Sequence, residues 1–159
     1  MIDTIGFLSM QFEKAEKRDF RPDLFGKIAD LPVSILLDEY YGAKLNFIHQ
    51  DYLDKNPNIM FCSRAEVLNA DCVITIRTPD FSELSLLKKG AIFFSMLHYL
   101  TRINRNNFLI SKGTNMLAMD SVVDDFGNRM IQDFPGTADN AFSAVYKEGE
   151  KLLEVRDIL

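Results

Sequence analysis

An α/β fold, with a mostly parallel sheet covered by helices on both faces, is predicted by three observations. Short β-branched or aromatic runs alternate with helix-like segments along the chain, the connections between them are short, and the strand-like runs are apolar throughout. Strands buried on both faces have that composition. At 159 residues and 47% hydrophobic content the chain fits a single domain, residues 1–159, with a substantial core.

The first predicted strand is 4–8. A polar loop through Glu16, Lys17 and Arg18 then reaches Pro22, which suits the first turn of a helix ending near Asp30. Residues 33–37 form the second strand, Tyr41-Gly42 a turn, 51–55 a short helix and 59–62 a brief strand. Ser63 stands three residues before Glu66, the spacing of a capping box, and opens a helix through Leu68. The next strand, from Val73 to Ile76, stops at Arg77 and Pro79. A helix at 82–89 ends at Gly90; a strand from Ala91 leads to His98; a helix at 101–112 ends at Gly113; and 115–119 is a further strand. Val122-Val123, the turn residues 124–127 and Met130-Ile131 read as a small hairpin, and 139–153 as a last amphipathic helix. The whole is a layered fold of the Rossmann or flavodoxin type.

Two of these strands end in polar residues of catalytic type, Arg77 and His98. If they are parallel neighbours, guanidinium and imidazole emerge at one carboxyl edge, where open α/β sheets bind ligands. A cation for an anionic substrate and a titratable ring for proton transfer would then share a crevice. Arg102 and Arg105 follow His98 closely and could serve a small anion, although Arg105 reads first as part of a solvated helix face. Each has a plainer alternative: His98 as a core histidine bonded to a backbone carbonyl, Arg77 as a strand-end arginine reaching solvent, Arg18 as a surface arginine. His49 reads as structural or surface.

The composition excludes several classes. A net charge of −5 and a pI near 5.0 argue against sequence-independent nucleic-acid binding. Cys62 and Cys72 lack the spacing of a zinc site or disulfide framework and read as small hydrophobes. The opening residues do not form a secretory signal, and no run approaches the ~20 apolar residues of a membrane span. A cytoplasmic setting without membrane contact is the expectation. No GxGxxG or GxxxxGK[ST] turn occurs, so a dinucleotide is not expected to bind this chain through the usual fingerprint.

In order, Ile5-Gly6, Glu16-Lys17-Arg18, Pro22, Ile76-Arg77-Thr78-Pro79, Glu83, Lys88, Gly90, Leu97-His98, Asp120 and Gly136-Thr137-Ala138 form a pattern. It resembles the N-terminal domain shared by alanine dehydrogenase and pyridine nucleotide transhydrogenase, with saccharopine dehydrogenases as more distant relatives. The resemblance implies the substrate-binding half of an NAD- or NADP-dependent amino-acid dehydrogenase, acting on an amino acid and its 2-oxo acid. Arg18 and Arg77 would bind the small carboxylate substrate, and His98 would exchange a proton with its carbonyl or amine. Glu16, Arg102 and Asp120 would support them.

The pattern departs from the family in two places. Arg77 stands where the dehydrogenases carry lysine, and the two side chains differ in reach and in ability to lose a proton. Asp120 stands where a glutamate is common. The cofactor would be held by a nucleotide-binding domain outside this chain, which alone is not expected to transfer hydride. Packing against that domain, or self-association as a homo-oligomer, is the implied partnership. The alternative is a stand-alone binding or assembly module that keeps the fold without catalysis.

Overall fold

The computed structural model describes residues 2–9 and 19–127. Six strands form one all-parallel sheet: β1 (Thr4–Phe7), β2 (Ser34–Asp38), β3 (Ile59–Cys62), β4 (Cys72–Arg77), β5 (Ile92–Met96) and β6 (Asn115–Ala118). Their spatial order is β3-β2-β1-β4-β5-β6. The chain winds outward from β1 in one direction and from β4 in the other, so the order reverses between these two central strands. The crevice at their carboxyl ends is the natural ligand position of such a sheet.

Helices α1 (Pro22–Gly26), α2 (His49–Leu53), α3 (Arg64–Leu68), α4 (Phe81–Leu84) and α5 (Ile103–Ser111) cover the sheet, with 3₁₀ turns at Ala43–Leu45 and Met119–Ser121. Strand alternation sends side chains to two cores. In β2, Ile35 and Leu37 join Phe7, Phe25, Tyr41, Tyr52 and Ile59, whereas Leu36 packs on the opposite face with Val67, Leu68, Val73, Leu84, Phe93 and Leu109. Phe25, Tyr41 and Tyr52 meet edge to face at 5.5–5.9 Å, geometry that adds to their burial. Gly6 lets α3 lie directly on β1: a Cβ there would stand 2.5 Å from the Val67 carbonyl oxygen.

Local chemistry explains the boundaries. Ser63 opens α3 as the capping box requires, its hydroxyl accepting the Glu66 N–H while the Glu66 carboxylate accepts the Ser63 N–H at 2.8 Å. Two helices start earlier than the periodicity predicts, because carboxylates cap them. Asp51 accepts the Ile48 N–H at 2.8 Å, so α2 begins at His49, and Asp80 accepts the Glu83 N–H at 3.0 Å, so α4 begins at Phe81. The predicted 82–89 helix does not persist, since Leu86 and Leu87 donate three residues back, to Glu83 and Leu84. Likewise α1 ends at Gly26 and passes into three-residue turns through Leu31. The second arm of the predicted hairpin, 130–131, and the predicted last helix, 139–153, lie outside the described residues.

Candidate functional site

His98 follows the carboxyl end of β5 in a left-handed conformation, φ 49°, which a non-glycine residue adopts only when its surroundings hold it there. Asp120, in the turn after β6, does the holding. Its carboxylate accepts the Leu97 N–H at 2.9 Å and the His98 N–H at 3.0 Å. The His98 carbonyl in turn accepts the N–H groups of Thr101 and Arg102, each at 3.0 Å. His98 Nδ1 stands 3.4 Å from the same carboxylate, and the side chain is 39% exposed. The ring therefore lies at the mouth of the carboxyl edge, oriented by a carboxylate that is itself fixed by the backbone.

Arg77 ends β4 opposite Met96 of β5, half-buried, after a register shift that begins at Ile74. The Thr75 hydroxyl donates to the Arg77 carbonyl at 2.9 Å, and the Thr78 hydroxyl donates to the Met96 carbonyl at 3.2 Å while sharing a bond with Ser95. These bonds tie together the ends of the two strands that carry Arg77 and His98. Arg18 and Glu16 lie outside the described residues. Arg102 is exposed at the start of α5.

The structure corrects one reading. Arg105 is not on a solvated face: half-buried, it donates from Nη2 to the Leu97 carbonyl at 3.0 Å, because the turn at His98 folds α5 back over the end of β5. His49 is exposed and structural, stacked on Phe61 at 3.7 Å and bonded to the Glu39 carbonyl.

A charged network at the carboxyl ends of β1 and β2 escaped sequence reasoning. Asp38, 1% exposed, accepts the Ser9 N–H at 2.6 Å and a bond from Arg64 Nη1 at 3.0 Å. Arg64 also donates to the Ser9 carbonyl at 2.9 Å and pairs through Nε with Glu83. Both backbone groups of Ser9 are thus gripped where the chain leaves β1. The one available signal was an apolar strand ending in a charged residue, the pattern that singled out Arg77 and His98. Chemistry is not expected at the cysteines: both are free and half-buried, and burial pushes the Cys72 thiol up to about 11. Among the described residues no group of three or more histidine, cysteine or carboxylate side chains could hold a metal ion, and no helix is long and apolar enough to cross a membrane.

Strand order and edge residues define a doubly wound α/β domain whose polar groups collect at the carboxyl ends of its strands. Residues 14–132 match the family described as alanine dehydrogenase/PNT, N-terminal domain, and the chain belongs to that family. One relative, the NAD(P) transhydrogenase subunit alpha of Haemophilus influenzae, is 26% identical over 101 residues, which are 64% of this chain and 19% of that protein. Among solved structures, an L-alanine dehydrogenase superposes with a TM-score of 0.72 at 18% identity, covering 80% of this chain and 35% of the other. A transhydrogenase from Sinorhizobium meliloti superposes with a TM-score of 0.66 at 16% identity, covering 76% and 36%. The superpositions establish the shared fold. This chain spans about a fifth of the curated relative and about a third of the solved chains.

Proposed function

We propose that this chain is the substrate-binding part of an NAD(P)-dependent dehydrogenase, taking an amino acid and its 2-oxo acid. The observation that carries the reading is the His98 ring, held at the carboxyl edge by Asp120 beside the strand end that bears Arg77. In this reading Arg18 and Arg77 anchor the substrate carboxylate, and His98 exchanges a proton with the carbonyl or amine while Asp120 orients its ring. Glu16 and Arg102 support the arginines. The nicotinamide, which supplies the hydride chemistry, would be held by a domain beyond these 159 residues, against which the carboxyl edge would pack. A cytoplasmic setting accords with this chemistry.

A thermal-shift titration of the chain with amino acids and 2-oxo acids tests the proposal. A saturable rise in Tm for one acid is expected, and Arg18→Ala should weaken that binding by about 1.5–3 kcal/mol, the worth of a charged hydrogen bond. Absence of any response at millimolar concentrations would favour the second reading, a binding or assembly module that keeps the fold without catalysis. The arginine at position 77, where family dehydrogenases carry lysine, favours that second reading.

A further inference from the structure

Beside the His98 crevice, and sharing Arg102 with it, lies a second cleft. We propose that the cleft between the first turns of α4 and α5 binds an oxyanion carried on a small planar or apolar body, of which a phosphate ester is the type. The cleft has a volume of about 590 Å³, and its walls include Pro79, Phe81, Leu84, Arg102, Ile103 and Arg105.

Its positive charge is only partly compensated. Among the described residues, half-buried Arg105 bonds only the neutral Leu97 carbonyl, and its buried Nε has no hydrogen-bond partner. Neither Arg102 nor Arg105 takes part in any ion pair among the described residues. Burial and then the neighbouring Arg102 push the Arg105 guanidinium downward from its ordinary value, against the weaker opposing pull of Asp120. Asp120, whose carboxylate is already engaged by the Leu97 and His98 N–H groups, offsets only part of the cost of a half-buried guanidinium with a second cation beside it.

The helix makes the imbalance larger. Arg102 immediately precedes α5 and Arg105 lies in its first turn, the end at which the helix dipole favours anions, and no side chain caps it. The first backbone bond of that turn is Asn106 N–H to Arg102, so the N–H groups of Ile103, Asn104 and Arg105 precede it. Among the described residues the one carboxylate lining the cleft, Asp80, accepts the Ser82 hydroxyl at 2.6 Å and the Glu83 N–H at 3.0 Å. An oxyanion in the cleft would meet the exposed Arg102 guanidinium and the open N–H groups at once, within the field of Arg105. Its body would meet Phe81 and Ile103, which are 50% and 60% exposed, with the Phe81 ring set edge-on against Phe108 at 5.2 Å.

The test uses the full chain at constant ionic strength, titrated with inorganic phosphate and with phenyl phosphate while the amide signals of residues 102–105 are followed by NMR. Saturable shifts of those amides are expected, with phenyl phosphate binding at least fivefold more tightly than phosphate because its ring adds apolar contact (roughly 1 kcal/mol). Arg102→Gln, at an exposed position, should keep the fold and weaken both about tenfold, as loss of a charge-assisted bond does. His98→Gln should leave both affinities unchanged, which separates this site from the proposed dehydrogenase site. Unshifted amides, or undiminished binding in Arg102→Gln, would overturn the anion site. Loss of binding in His98→Gln would place the anion at the histidine instead, and equal affinity for the two probes would remove the apolar half of the proposal.

Discussion

Asp71 and Asp120 perform the same act at opposite edges of the sheet: each carboxylate accepts two consecutive backbone N–H groups. Asp71, just before β4, accepts those of Asp3 and Thr4 at 2.9 Å each, and the Thr4 hydroxyl as well. Asp120 accepts those of Leu97 and His98. The difference lies in the third partner. Asp71 meets the Lys88 ammonium, a permanent charge on a flexible stem, and the segment it fixes is extended and unstrained. Asp120 meets an imidazole that is partly open to solvent and whose backbone it holds at φ 49°. With lysine the device is a staple; with a strained, exposed histidine it becomes a candidate site.

Breaking the staple should have the largest effect. Asp71→Ala removes three hydrogen bonds that join the amino ends of β1 and β4 and the ion pair to Lys88, and is expected to cost about 2–3 kcal/mol of stability, measured by denaturant unfolding. A cost below about 0.5 kcal/mol would deny Asp71 the role of a staple. Its pH signature has a definite sign. The Lys88 pairing, followed by the Asp3 N–H bond, holds the Asp71 carboxyl far below the usual carboxylate range. The stabilisation is therefore complete above the unfolded carboxyl value of about 4 and is lost as pH falls through the lowered folded value. In Asp71→Asn the acid limb of the stability profile should be shallower than in the parent.

Asp120→Ala should cost less, about 1–2 kcal/mol, because it frees two backbone N–H groups at a turn rather than unpinning a central strand. Function separates the two carboxylates more sharply than stability. Any 2-oxo acid binding found for the parent should weaken in Asp120→Ala and persist in Asp71→Asn. The reverse pattern would exchange the roles assigned to them.

These pairings also mark what a sequence discloses. The strands fall within about a residue or two of their predicted limits, because each is a short apolar run bounded by polar or turn-forming residues. Helices α2 and α4 moved because a carboxylate near each start captured a backbone N–H, a local choice that periodicity does not encode. His98 and Asp120 were each visible as residue types, but their contact joins positions 22 apart across β6 and needs the completed sheet. The Asp38, Arg64 and Glu83 network draws on the end of β2 and on helices α3 and α4, and Arg105 looked solvated because the turn that buries it depends on a left-handed histidine.

That turn supplies the smallest and most discriminating test. Glycine adopts positive φ freely, whereas histidine there is strained, so His98→Gly should relieve backbone cost at the expense of greater freedom in the unfolded chain. The ring is partly exposed, so little packing is lost with it. Stability is expected to rise by up to about 1 kcal/mol, measured by denaturant unfolding at neutral pH. Lys88→Ala at the opposite edge should fall instead, since its removal strips Asp71 of its counter-charge without relieving any strain. A residue whose removal strengthens the fold is retained for something other than folding. Should His98→Gly prove clearly destabilising, the histidine would be a structural member of its turn, and the contrast between the two edges would collapse into two staples of unequal strength.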